Sequence, residues 1–472
     1  MKVLSVAAEM FPFVKTGGLA DVAGALPAAL RAEDVEVQSL LPGYPAVMTA
    51  LGSAQEVLQF DDLFGGPARV LAGRALVLDA PHLYDRSGPV YGHADDAFRF
   101  AALCWAAAEI GSGRTGGFVP DVVHAHDWQA GLVPAYLHYV FPDRPATVFT
   151  VHNLAYQGQF PAHLLGALRL PPHAYSMDGV EYYGAIGFLK AGIRLADRVT
   201  TVSPSYAEEI RSDAAGMGLA GLLRARGADL VGVLNGIDTS VWNPATDPLL
   251  PTRYNVASLD GRQDNKRALQ DALGLDPDPE AMVIGVISRL AWQKGMDLLL
   301  GSVPFCLQLG VQIALLGAGD ADVESGFLAA QRREPRRIGV RIGYDEALAH
   351  LIQGGADVLC VPSRYEPCGL TQLCALRYGA LPLVARVGGL ADTVIDANEV
   401  ALAAGVGTGF VFSPVSGDAI QSAIRRASIV WRDRAAWHAL QQNAMRIDVS
   451  WQRPAQHYAA LYRSLTAATI SA

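Results

Sequence analysis

Uninterrupted apolar runs of strand length recur along the 472-residue chain, separated by segments in which apolar positions return every three or four residues. One series runs 3–9 (VLSVAAE), 35–42, 74–80, 121–126 (DVVHAH), 146–152 (ATVFTVH) and 198–203. A second runs 282–288 (MVIGVIS), 311–317, 337–343, 356–362 and 381–386. Runs that are apolar throughout, rather than alternating, predict parallel strands buried on both faces. Between them, 21–32, 96–110 and 203–212 predict helices, and helical periodicity resumes at 418–442 and 452–466. The βαβ alternation predicts a doubly wound α/β sheet in each half of the chain. Pro- and Asp-rich stretches at 243–255 and 273–282 fall between the two series. They divide the sequence into a Rossmann-like domain over 1–242, a second over 243–450, and a terminal helix within 451–472. Sheets of this kind bind ligands outside the carboxyl ends of their strands, so two halves facing across a cleft is the expected arrangement.

Composition narrows the partners. A chain 51% hydrophobic and 18% charged has ample material to bury, and its net charge of −9 argues against a nucleic-acid surface. The five cysteines, Cys104, Cys306, Cys360, Cys368 and Cys374, form no CxxC pair and no zinc-ligand spacing. Reduced thiols and a cytoplasmic address are therefore expected. No apolar stretch is long enough to span a membrane, and the N-terminus reads as a buried strand rather than a signal peptide.

The candidate chemistry sits where strands end. KTGGLADV (15–22) follows the first strand, and its GGLAD returns in VGGLADTV (387–394) after the last. Two glycines allow close backbone approach, and a helix N-terminus attracts anions, with Lys15 adding charge. An ordinary strand-to-helix turn with Asp21 near the helix start is an equal reading. HAHDW (124–128) invites a metal reading, but strand alternation is expected to point His124 and His126 apart. Asp127 is left as polar lining that reaches a hydroxyl. HNLAYQG places His152 and Asn153 at another strand end, as ligand contacts or as a satisfied polar pair. SRLAWQKG (288–295) carries Arg289 and Lys294, two fixed cations suited to a diphosphate whose charge grows as it leaves. PSRYEPCGLTQL (362–373) sets Glu366 beside a helix start near Leu370. Asp276-Pro-Asp278 reads as loop chemistry and Asp320-Ala-Asp322 as a helix cap, and no GxGxxG or Walker A pattern is present.

Taken together, KTGGLADV, HAHDWQAGL, HNLAYQGQF, SPSYAEEI, LNGIDTSVWNPATD, SRLAWQKG, EPCGLTQL and GGLADTV resemble, in order, the bacterial glycogen synthase and plant starch synthase family. The resemblance runs from residue 2 to about 460. It implies a GT-B-type fold, with two Rossmann-like doubly wound domains facing across a deep cleft and the C-terminal helix returning to the first. It also implies retaining transfer of glucose from ADP-glucose to the non-reducing end of an α-1,4-glucan such as glycogen, with no metal or other cofactor. By position, Lys15, Gly18 and Asn235 would contact the donor, and His152 would lie beside the transferred glucose. Arg289 and Lys294 would bind the diphosphate and Glu366 the glucose. Cys368 and the amides around Gly369, Leu370 and Thr371 would hold phosphate, and Tyr344 would stack on adenine. Asp21, Asp127 and Asn153 would serve the acceptor or the structure. Many retaining GT-B enzymes have a second glutamate eight positions after the first; here that position is Cys374, which disfavours a sucrose-synthase-like reading. The rivals are a UDP-glucose transferase with a small acceptor and a two-lobed binding protein without catalysis.

Overall fold

The apolar runs fold as strands of two separate sheets in the computed structural model, which describes residues 1–115, 117–141 and 144–470. The first sheet contains β1 (Lys2–Val6), β2 (Glu36–Pro42), β3 (Gln55–Phe60), β4 (Ala68–Ala72), β5 (Leu76–Asp79), β6 (Val122–His126) and β7 (Ala146–Val151). A small antiparallel sheet of β8 (Gln159–Pro161), β9 (Glu181–Tyr182) and β10 (Ala185–Gly187) follows, and then β11 (Arg198–Thr201) and β12 (Leu230–Gly232) complete the first sheet. Its order is β12-β11-β7-β6-β1-β2-β5-β4-β3, parallel from β12 to β5 and antiparallel at the β3–β4 edge. The second sheet contains β13 (Val283–Ile287), β14 (Gln312–Gly317), β15 (Ile338–Ile342), β16 (Val358–Val361), β17 (Leu381–Ala385) and β18 (Phe410–Phe412). It runs β15-β14-β13-β16-β17-β18, parallel throughout. Each sheet starts in its middle: β1 lies between β6 and β2, and β13 between β16 and β14. The order therefore reverses beside β1 and beside β13, and at such switch points the loops diverge to leave a ligand crevice.

Burial on both faces explains the unbroken apolar runs. Val3, Leu4 and Val6 of β1 and Ile313, Ala314 and Leu315 of β14 are all fully buried. Each large aliphatic side chain taken from water contributes on the order of 1.5–3 kcal/mol before chain entropy is counted. The helix after β11 shows how local chemistry sets a start. Ser203 accepts a hydrogen bond from the Tyr206 N–H, and Pro204 fills the first helical position, where no donor is needed. That helix is short, Pro204–Glu209, and the pattern at 418–442 forms two helices, Gly417–Trp431 and Arg434–Arg446, the second capped by Asp433.

The chain divides into two compact units, Met1–Asn235 together with Trp451–Ala472, and Gly236–Ser450. The C-terminal helix Gln452–Ile470 joins the first unit for a plain reason. Ala455, Tyr458, Ala459 and Tyr462 fall on one helical stripe and pack with Val3, Val22, Leu26 and Leu30. The boundary lies at Asn235/Gly236 rather than 242/243, because the Ile237 N–H donates to the Val449 carbonyl at 2.8 Å and ties 236–242 into the second unit. Nor is 243–255 a linker. Asp247 is buried and accepts from Tyr378 Oη at 2.5 Å and from His350 Nδ1 at 2.7 Å, and Tyr254 donates to the Tyr378 carbonyl. Among the described residues no helix is long and apolar enough to cross a membrane.

Candidate functional site

In the second unit, the loop leaving β13 and the loop leaving β16 flank the switch point, and two charges meet there. Lys294 Nζ lies 2.6 Å from Glu366 Oε2, and the Ser363 hydroxyl donates to the same carboxylate oxygen at 2.8 Å. Both side chains are largely buried, at 18% and 9% exposure, so neither charge could be left alone without a large desolvation cost. Arg364 clamps the two loops. Its guanidinium forms a two-pronged pair with Asp297, at 2.6 and 2.7 Å, and donates to the Trp292 carbonyl, while its backbone N–H reaches the Gln293 carbonyl. Hydrogen bonding to that guanidinium holds the Asp297 carboxyl below the usual range. Arg289 is exposed and donates to Gln293 Oε1 at 3.1 Å, so the cation pair is split, one buried on Glu366 and one open.

The EPCGL turn is shaped from below. Gln372 Nε2 donates to the Cys368 and Gly369 carbonyls, and the Gly389 N–H donates to the carbonyls of Glu366 and Pro367. Gly369 has φ +73, a conformation glycine adopts without strain, and the helix Thr371–Tyr378 follows with Leu370 at its N-cap. The first-turn amides of that helix have no intrahelical acceptors, which leaves donors beside Glu366. Tyr344 follows β15, is 80% exposed and donates to Glu346.

The first unit brings together a different set. Loops after β1, β6 and β7, three neighbours in the sheet, carry Glu9, Asp127 and His152. Glu9 accepts from the Thr16 N–H, the Thr16 hydroxyl, the Gly17 N–H and the Tyr91 hydroxyl. The KTGG loop thus binds an anion, and in this structure the anion is Glu9. Lys15 pairs with Asp21 at 2.8 Å, and Gly18 opens the helix Gly18–Leu30. Asp127 lines no open surface. It accepts from the backbone N–H of His152 at 2.9 Å and of Asn153 at 3.4 Å, and so holds the following turn. Its φ of +58 is strained for a non-glycine residue, and burial raises its carboxyl to about 7 against the pull of those two donors. Asn153 turns inward on its own loop, accepting from the Ala155 N–H. Asn235 Oδ1 is buried without a hydrogen-bond partner among the described residues.

The expected separation of His124 and His126 does not occur. Residues two apart on a strand share a face, and the two rings lie 4.0 Å apart. Their nitrogens are nevertheless engaged: His124 with Tyr462 Oη and Thr150 Oγ1, His126 with Ser5 Oγ and His152 Nε2. Burial drives all three histidine pKa values down, that of His126 to about 3, and keeps the rings neutral. Among the described residues no group of three or more His, Cys, Asp or Glu is placed to hold a metal ion. The Asp320 side chain makes no cap bond; Glu324 accepts from the Gly319 N–H instead. Sequence reasoning missed Glu9, Ser363 and the Arg364–Asp297 clamp. The first was visible as a carboxylate closing an apolar strand, and Ser363 and Arg364 lie inside PSRYEPCGL.

Comparisons with known proteins identify the family. The starch synthase catalytic domain family matches residues 2–225, and the glycosyl transferases group 1 family matches 271–443. A glycogen synthase of Rhodopseudomonas palustris (strain BisB18) is 60% identical over 98% of this chain and 97% of its own. Another, from Methylocella silvestris, is 58% identical over 98% and 99%. The catalytic domain of starch synthase IV from Arabidopsis thaliana, solved with ADP and acarbose, is similar with a TM-score of 0.89 at 32% identity, covering 98% of this chain and 99% of that one. The two α/β sheets, parallel but for the β3–β4 edge of the first, are those of the GT-B fold, and the chain belongs to the glycogen and starch synthase family of glycosyltransferases.

Proposed function

We propose that this chain elongates an α-1,4-glucan by transferring glucose from ADP-glucose to the non-reducing end, with retention of configuration and release of ADP. The observation that carries this reading is the buried Lys294–Glu366 pair at the switch point of the second sheet. Breaking the bond from glucose C1 to the diphosphate sends its electron pair to a phosphate oxygen. Lys294 and Arg289 neutralise that charge, and the amides of Gly369, Leu370 and Thr371, beside Cys368, add donors. Glu366 binds sugar hydroxyls and stabilises the oxocarbenium-like charge on the ring. The acceptor hydroxyl attacks C1 from the face the phosphate leaves, and its proton passes to the departing phosphate oxygen. Two fixed cations supply the charge that a divalent metal would otherwise bring, so no metal requirement is proposed.

The remaining roles follow by position. His152 contacts the transferred glucose, and Tyr344, with its ring exposed, stacks on adenine. Lys15, Gly18 and Asn235, whose Oδ1 has no partner among the described residues, contact the donor, while Asp21, Asp127 and Asn153 support the loops around them. A cytoplasmic setting belongs to the same proposal, since the five cysteines are unpaired and buried. The test is nucleotide release from ADP-glucose and UDP-glucose, with and without a glucan primer and with EDTA. Primer-dependent ADP release that resists EDTA is expected. Preference for UDP-glucose would overturn the donor assignment, EDTA sensitivity the metal-free mechanism, and release from neither donor the whole reading.

A further inference from the structure

Under His152 lies a chain of buried polar groups that the transfer itself does not use. It crosses three adjacent strands: Ser5 on β1, His126 on β6, and His152 just past β7. Ser5 Oγ is 3.2 Å from His126 Nε2, and His126 Nδ1 is 3.0 Å from His152 Nε2. His126 is fully buried, whereas His152 keeps 9% of its surface. The His126 ring has little freedom to turn. His124 lies against it at 4.0 Å and is itself tied to Tyr462 Oη of the C-terminal helix at 2.7 Å and to Thr150 Oγ1 at 2.6 Å.

Hydrogen counting fixes the direction of this chain. Two neutral rings that meet nitrogen to nitrogen share one proton, so one ring donates and the other accepts. Among the described residues, Ser5 Oγ has a single side-chain partner, His126 Nε2. A buried hydroxyl hydrogen without an acceptor is costly, so Ser5 donates and His126 Nε2 accepts. Neutral His126 then carries its proton on Nδ1 and donates to His152 Nε2. Neutral His152 in turn carries its proton on Nδ1. Nothing among the described residues hydrogen-bonds that nitrogen, so it is the one left for a ligand.

We propose that Ser5 and His126 are positioning residues that hold His152 as its Nδ1–H tautomer, so that the free ring nitrogen offers a proton to a sugar oxygen rather than a lone pair. His152 is then a hydrogen-bond donor to the substrate and not a general base. The catalytic consequence rests on the proposed contact between His152 and the transferred glucose; the tautomer does not.

The test separates the two. In the intact, ligand-free protein with 15N-labelled histidine, NMR is expected to show His152 protonated at Nδ1 and bare at Nε2; the opposite tautomer would overturn the proposal. His126→Asn keeps an amide donor where Nδ1 stood and is expected to stay within about threefold of the parent kcat. His126→Leu removes the donor and is expected to lower kcat about tenfold with little change in donor KM. Equal rates for the Asn and Leu variants would contradict the positioning role. If the Leu variant does not fold, Ser5→Ala serves in its place: it removes the donor that keeps His126 Nε2 bare and so frees His126 to take its other tautomer, and a mixture of His152 tautomers is expected, with a single unchanged tautomer counting against the chain. Full activity in His152→Ala would instead defeat the glucose contact and leave the tautomer result standing.

Discussion

The two GGLAD turns carry the same five residues at the end of a strand, yet the structure uses them in opposite ways. In the first, the N–H groups of Thr16 and Gly17 point at a carboxylate, that of Glu9, and a lysine stands beside them. The turn behaves as an anion cradle whose occupant is part of the chain. In the second, the Gly389 N–H is spent on the carbonyls of Glu366 and Pro367, beneath the EPCGL loop. A methyl group at Gly389 would run into the Cys368 backbone, while one at Gly17 would meet nothing within 4 Å. One turn presents its amides, and the other serves as a floor. The letters are equal because both turns need a strand, a tight bend and a helix start. Their roles differ because of what the rest of the sheet sets against them.

That contrast can be broken by substitution. Removing the charge beside each turn is expected to separate them most: Lys15→Ala should lower kcat/KM for the nucleotide-sugar about tenfold or more, as loss of a charged hydrogen bond does. Arg386→Ala, at an exposed position, should stay within about twofold, since surface changes of this kind cost little. Comparable losses in both would erase the distinction. Next in size is the glycine test. Gly389→Ala should destabilise the fold by about 1–3 kcal/mol through overpacking, and Gly17→Ala, with φ −157 and open space, by less than about 0.5 kcal/mol. Denaturant midpoints measured at constant m-value decide it.

The smallest expected effect concerns pH. Asp127 is raised to about 7 by burial, so the folded state holds its proton where the unfolded chain has lost it. The stability it contributes is full below about pH 4 and is lost as pH rises towards 7. Asp297, held low by Arg364, has the opposite sign: its contribution is present above about pH 4 and lost on acidification, and it is small because the pair is partly exposed. His124, His126 and His152, kept neutral by burial, also favour the fold above the ordinary histidine pKa and lose that support as pH falls. Asp127→Asn should therefore make stability rise more steeply with pH between about 4 and 6.5 than in the parent. An unchanged profile would show that Asp127 is ionised in the fold.

The parallel strands were legible because burial on both faces leaves an unbroken apolar run, as in VLSVAAE and MVIGVIS. The β3–β4 edge was not: QEVLQF is largely open to solvent, so nothing in its letters distinguishes a strand from a loop. Short strands such as Leu230–Gly232 and Phe410–Phe412 are fixed by their neighbours rather than by their own pattern. Which residues line the strand ends could be read from position along the sequence, and Lys294 and Glu366 were found that way. Which of them touch could not, because Lys294 reaches Glu366 from 72 positions away. Asp127 reads as polar lining until the backbone N–H groups of His152 and Asn153 are seen to converge on its Oδ1. The histidine pair was misjudged by one step of strand periodicity.

The central claim is that the Lys294–Glu366 pair at the second switch point is where the donor's bond to diphosphate is broken. Its most direct test is glucan-primed ADP release by Lys294→Ala, measured beside the parent chain with folding checked by thermal unfolding. A fall of about a hundredfold or more in kcat, with the melting transition intact, is the predicted result. A folded Lys294→Ala variant that turns over at the parent rate would contradict it.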